Sequence, residues 1–168
     1  MLRLRPLRAG DEAAFLAGHA QMAAEGFVFG FLLEPDLPWE EYLRMLANWR
    51  CARSLPEGWV PDTFLVADVD GELVGRVSIR HELTDFLREE GGHIGYGVLP
   101  AFRRRGYATE ILRQAVVIAR SVGVDRVLVT CDDDNIGSIR TIEACGGKLD
   151  SVRPAEPGSA AIRRYLID

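Results

Sequence analysis

The stretch GYGVLPAFRRRGYATEIL, residues 95–112, compresses three structural events into eighteen residues. A β-rich run ends at Val98 ahead of Pro100. Three consecutive arginines, Arg103 to Arg105, then crowd against Gly106. From Gly106 to Val122 the apolar positions 108, 111, 112, 115, 118, 119 and 122 trace one helical face. The first turn of a helix leaves amides without internal acceptors, and the helix dipole adds partial positive charge there. Gly106 and Ala108 keep side-chain bulk off that backbone, and neighbouring arginines supply charge-assisted donors suited to phosphate. The segment reads either as solvated positive charge or as the seat of a phosphorylated ligand. No GxxxxGK[ST] loop occurs, and Gly95 and Gly97 run into Pro100 where a dinucleotide fingerprint needs a further glycine.

Working outward, LRLRPL near the start alternates apolar and basic residues as a strand does. Asp11 is placed to cap a following helix carrying Phe15, Leu16, His19 and Met22, and Trp39, Leu43 and Leu46 or Ala47 mark a second. Residues 62–83 read as a hairpin turning at Asp70-Gly71. A polar connection over 84–91 has room for one helical turn. GHIGYGV is a further strand, and DRVLVTC is a continuous apolar run of the kind buried on both faces. NIGSIRTIEACGG starts with a polar cap, spaces Ile136, Ile139 and Ile142 helically, and stops on glycine. Strands over 148–153 and 160–167 close the chain. The order β-α-α-β-β-β-α-β-α-β-β predicts a mixed α/β sheet with helices on its faces, in one domain over 1–168.

The chain is net acidic, with formal charge −5, which argues against nucleic acid as a main partner. Three scattered cysteines form no CxxC pair and fit free thiols in a reducing cytoplasm. No signal-peptide core opens the sequence and no apolar run reaches membrane-span length, so a cytoplasmic protein off the membrane is expected. Asp132 to Asp134 are consecutive acids on extended chain, a poor chelate, and no metal site is predicted.

Arg103-Arg104-Arg105-Gly106-Tyr107-Ala108 resembles the acyl-coenzyme-A motif [QR]xxGx[GA] of the GNAT superfamily of N-acetyltransferases. Its setting strengthens the likeness. It follows a strand ending Val-x-Pro, opens a long helix, and precedes Asn135-x-x-Ser138 ahead of a glycine-terminated helix, similar to the family's second signature. GGHIGYGV, RRRGYATEIL and NIGSIRTIEACGG together resemble a bacterial branch of small GNAT enzymes. The element order fits that family from residue 2 to 167. The resemblance implies the GNAT acyl-CoA N-acyltransferase fold, a central, mostly antiparallel sheet splayed at an acetyl-CoA cleft and flanked by helices.

It also implies roles. The backbone of Arg104 to Thr109, by way of Arg105, Gly106, Tyr107 and Ala108, would cradle the pyrophosphate, with the Arg103 side chain nearby. Tyr96, Gly97 and Val98 would pair through their backbone with the pantetheine arm. Gly97 stands where a strand must bulge or let a ligand approach. Asn135 would bond pantetheine amides, although without the resemblance a plain helix cap is the preferred reading, and Ser138 would lie near the thiol. Acetyl-CoA is the implied cosubstrate and an amine the implied acceptor, with a homodimer left open. The Tyr96 amide would face the oxyanion. The family's thiolate acid, a tyrosine seven residues after the asparagine, is here Ile142, leaving Ser138, Tyr107, water or unassisted release. This absence keeps a non-catalytic acyl-CoA sensor of the same fold as the alternative.

For the base, His93 is the first candidate and His81 the second, because antiparallel pairing of their strands would bring both to one end. Glu82 and Asp85 follow. The acceptor wall is expected in EGFVFGFLLEPDLPW: Phe27, Phe29, Phe31 and Trp39 as aromatics, and Glu25, Glu34 or Asp36 toward an ammonium.

Overall fold

The computed structural model describes residues 1–168. Strand β1 (Leu2–Arg5) leads through a short 3-10 turn to α1 (Glu12–Ala23) and α2 (Trp39–Arg50). The hairpin β2 (Asp62–Val69) and β3 (Glu72–Arg80) turns through Asp70 and Gly71, both at positive φ. A π-helical turn, Leu87–Gly91, precedes β4 (Ile94–Val98). Then come α3 (Tyr107–Ser121), β5 (Val127–Asp132), α4 (Ile136–Ala144), β6 (Lys148–Arg153) and β7 (Ile162–Ile167). This is the element order expected from the pattern, and no helix is long and apolar enough to cross a membrane.

The strands form two antiparallel sheets, β1-β2-β3-β4 and β5-β7-β6. They join at one point. The His93 amide donates to the Leu128 carbonyl (2.7 Å), and the Leu128 amide donates to His93 Nδ1 (3.0 Å). From there β4 and β5 run in the same direction and part, so that Ile94 to Tyr96 and Thr130 to Asp132 stand on opposite walls of a cavity. A Cβ at Gly92 would lie 2.7 Å from the Leu128 oxygen, and its φ of 62° suits glycine, so Gly92 permits this close approach.

Alternation in β2 and β3 sorts the sheet's two faces. Val77, Ile79 and Ile94 meet Ile111, Leu112 and Ala115 of α3 in the main core. On the opposite face an aromatic cluster of Phe15, Phe29, Trp39, Tyr42, Trp49 and Phe64 holds α1 and α2 to the sheet. Each such ring buried is worth about 1.5–3 kcal/mol.

Local expectations shift in instructive ways. Asp11 precedes α1 but makes no side-chain cap to it; its carboxylate accepts from Arg5 (2.6 and 2.8 Å) and the Arg8 amide instead. Leu16 is exposed, because Phe15, Gly18 and Met22 form the inward face. In α2 the inward face is Trp39, Tyr42, Leu46 and Trp49, while Leu43 is half-buried and Ala47 exposed. Ile136 is exposed at the start of α4, and Asn135 Oδ1 accepts from the Ser138 amide (3.0 Å), a side-chain cap.

Candidate active site

Two cavities lie along the parting of β4 and β5. One, of about 600 Å³, runs between the start of α3 and α4; the other, of about 380 Å³, lies between β4, β5 and the loop after α1. They share Phe27, Tyr96, Asn135 and Ser138 as common walls.

The larger cavity is built on the arginine-glycine segment. After the strand, Pro100 starts a 3-10 turn, and Arg104 (φ 64°) and Gly106 (φ 79°) take left-handed backbone that swings the chain into α3. Through this passage the amides of Arg104 to Thr109 donate to no acceptor in the protein. Nothing lies within 4 Å of where a Gly106 side chain would begin. A run of outward amides at a helix start is an anion cradle, and it fits a diphosphate.

The three arginines divide their work. Arg103 is tethered: Nε donates to the Val98 carbonyl (3.1 Å) and Nη2 pairs with Glu25 (2.5 Å). Arg104 lines the cavity with no carboxylate partner, and Arg140, which sequence reasoning missed, does the same from α4. The Arg105 guanidinium turns away, donating to the Ala101 carbonyl (3.0 Å) and stacking over Phe102, so only its backbone faces the cradle.

Strand β4 offers its unpaired edge to both cavities. Bonds from Arg80 to the His93 carbonyl and from Leu99 to the Val74 carbonyl bracket its pairing with β3. The His93 carbonyl, the backbone groups at 95 and 97 and the Leu99 amide therefore face β3, and the groups at 94, 96 and 98 face the opening. The expectation for Gly97 is corrected accordingly: its backbone is committed to the sheet, and its register is unbroken, with no bulge. It lacks a side chain because a Cβ would meet the Phe27 ring at 2.7 Å. Tyr96 and Val98 supply the open edge, with the Val98 carbonyl already taken by Arg103.

The Tyr96 hydroxyl is buried and makes no hydrogen bond. The Ser138 and Thr141 hydroxyls are its polar neighbours, short of bonding geometry. Burial pushes this phenol up to about 12, so it holds its proton at neutral pH. Ile142, where the resemblance puts a tyrosine, is wholly buried in the main core and faces no cavity. Tyr107 lines the larger cavity only.

The structure separates the two histidines. Their backbones are neighbours, but His81 Nε2 turns to Thr63 Oγ1 (2.8 Å) and His93 turns the other way to Leu128. His93 lines neither cavity, and its Nδ1 already accepts the Leu128 amide. Burial, with Arg88 and Arg80 nearby, pushes it down to about 4, so it is a neutral structural pin and an ill-suited base. Glu82 and Asp85 are exposed and line neither cavity.

The expected acceptor wall divides evenly. Phe27 and Phe31 line the smaller cavity, whereas Phe29 and Trp39 are core. Glu25 serves Arg103, and Glu34 and Asp36 are exposed away from the cavity. Cys131 is on its wall, but burial pushes the thiol up to about 11, which disfavours a nucleophilic thiolate. No cluster of three His, Cys, Asp or Glu side chains stands ready for a metal.

An acetyltransferase (GNAT) domain model matches residues 1–148. The chain belongs to the GNAT acetyltransferase family. Solved GNAT-like structures span nearly the whole chain. One is yncA from Salmonella typhimurium, a proposed acetyltransferase determined with acetyl-CoA (19% identity, TM-score 0.66, covering 99% of this chain and 93% of that one). Another is RimL, a ribosomal L7/L12 alpha-N-protein acetyltransferase determined with coenzyme A (16%, TM-score 0.68, 99% and 93%). A third is an acetyltransferase from Agrobacterium tumefaciens (26%, TM-score 0.60, 98% and 90%). No curated protein matches the sequence significantly. As a GNAT member the chain is an acetyltransferase, and its α3 entry presents free amides.

Proposed function

We propose that this enzyme passes an acetyl group from acetyl-CoA directly to a primary amine. The observation that carries the reading is the meeting of two cavities at Tyr96, Asn135 and Ser138, with an anion cradle at the far end of only one. The amides of Arg104 to Thr109 hold the diphosphate, and Arg104 and Arg140 add charge beside it. The open edge at Tyr96 and Val98 aligns the pantetheine arm. Asn135 Nδ2 donates to it while Oδ1 caps α4, so one side chain serves both ends.

Acetyl-CoA supplies an activated acyl group as a thioester. The Tyr96 amide faces the position of its carbonyl oxygen and stabilises negative charge there. The Tyr96 phenol, rather than the missing α4 tyrosine, holds the proton available to a departing thiolate, with Ser138 beside it. Asp132, on the wall of the smaller cavity and without an arginine partner, orients the amine, and cavity water takes its proton.

Thiol release from acetyl-CoA over a panel of amines tests the reading, with mass detection of the acetylated product. Amine-dependent release supports it. Tight coenzyme binding with no transfer to any amine would favour an acyl-CoA sensor instead.

A further inference from the structure

The smaller cavity has a feature that amine acetylation does not need. Arg76 and Arg80 both face it from β3, two strand repeats apart on the same side. Arg76 is 3% exposed, yet neither guanidinium has a carboxylate within ion-pair distance. Their nitrogens converge over Gly95: a Cβ there would lie 3.6 and 3.7 Å from Arg80 Nη2 and Nη1, and 3.8 Å from Arg76 Nη1.

Arg76 is secured by backbone carbonyls of Phe29, Gly95 and Val28, and lies over the Phe27 ring at 4.6 Å. Arg80 uses only Nη1, on the Gly91 and Gly92 carbonyls (2.9 and 3.1 Å). Its Nε and Nη2 have no partner in the protein. The nearest buried acid, Asp62, is turned to Ser78 Oγ (2.5 Å), and burial pushes its carboxyl up toward the neutral form. Holding the buried Arg76 beside the half-buried Arg80 with no ion-pair partner for either is costly, and a bound anion relieves that cost. Elsewhere on the wall, Glu90 accepts from Arg153, leaving Asp132 as the lining carboxylate without a cation.

We propose that the acceptor is a small amino-acid-like zwitterion whose carboxylate is gripped by Arg80 beside Arg76 over Gly95, leaving its amine toward Asp132 and the Tyr96 junction. This rests on the amine-acetylation reading above. The planar fork of Arg80 matches a carboxylate in two-point geometry, and Phe27 and Phe31 offer an apolar wall to a side chain. A cavity of about 380 Å³ suits a molecule of that size.

The test is calorimetric titration of the enzyme saturated with coenzyme A, which cannot react, using free α-amino acids and their matched α-amides. At least one acid should bind about 10- to 100-fold more tightly than its amide. That preference should vanish in Arg80→Gln. Gly95→Ala is the second variant, since its methyl makes only ordinary contacts and keeps both arginines. It should weaken the acid at least about 10-fold while leaving coenzyme affinity unchanged. Equal binding of acids and amides, no binding by any acid, or an unaltered preference in both variants overturns the proposal. Thiol release with acetyl-CoA is read separately. Selective acid binding without acetyl transfer would sink the acetylation reading and leave this anion site standing.

Discussion

Acidification should open the enzyme at the apex where its two sheets meet. His93 is 9% exposed and neutral, with Nδ1 accepting the Leu128 amide. Its pKa lies at about 4 in the fold against an ordinary 6.5, chiefly because burial disfavours the cation. Between those values the unfolded chain binds the proton and the folded chain does not. Stability contributed by neutral His93 is thus intact above pH 6.5 and is lost as pH falls toward 4. The depressed pKa corresponds to a loss of up to about 3 kcal/mol. Protonation also removes the acceptor for the Leu128 amide, the same bond that closes the apex.

Urea unfolding of wild type, His93→Asn and His93→Ala at steps from pH 7.5 to 4.5 measures this. Asparagine can place an oxygen near the Nδ1 position but does not titrate. It should therefore flatten the pH dependence across the window while costing little at pH 7.5. Alanine leaves the buried amide unpaired and should lose about 1–3 kcal/mol at every pH. Wild type and His93→Asn falling in parallel would refute the reasoning. So would a large loss of turnover in His93→Asn at pH 7.5, because removing a true base costs about 100-fold or more.

Three further outcomes are expected. Gly106→Glu should lower acetyl-CoA affinity by at least about 10-fold by titration, since its carboxylate enters the amide cradle, whereas Gly106→Ala should keep binding and lose about 1 kcal/mol of stability at its φ of 79°. Tyr96→Phe should lower kcat by about 100-fold with acetyl-CoA KM unchanged, and because its hydroxyl has no partner, thermal unfolding should show no loss of stability. Arg5 holds Asp11 well below the usual carboxylate range, and the Gly71 amide with Arg5 does the same for Asp68, so their stabilisation is present above about pH 3.9 and lost as pH falls through the folded values. Asp11→Asn should cost about 1–3 kcal/mol at pH 7 and remove part of that acid limb in denaturant titrations.

The proposed coenzyme end was legible in sequence because it is local. A strand exit, a left-handed glycine and a helix start within a dozen residues dictate free amides, and the spacing of Asn135 and Ser138 sets a cap that also faces the cleft. The proposed acceptor end was not, because it is assembled from β3, the loop after α1 and the end of β5. Arg76 and Arg80 sit among apolar residues in a strand, and alternation alone places them on one face. It does not reveal that Gly95 on the next strand leaves room beside that face. His93 misled for a related reason. Antiparallel pairing brought its backbone beside that of His81, but residues around a strand end point to different neighbours, here Thr63 and Leu128.

The apex ties stability to chemistry. Had β5 continued to pair with β4 beyond Leu128, the groups at Tyr96 and Val98 would have been consumed by the sheet, and both cavities would have closed. The separation leaves polar backbone unpaired, which a folded chain tolerates only where water or a ligand satisfies it. Arg103 answers part of that demand by bonding the Val98 carbonyl, and it is anchored in turn by Glu25. The Tyr96 amide has no such substitute, and it stands where both cavities meet. A pinned apex at Gly92 and His93 therefore fixes how far the strands part, and with it the width of the slot in which the proposed reaction would bring thioester and amine together. Loosening that pin should disturb substrate positioning even though His93 touches neither substrate.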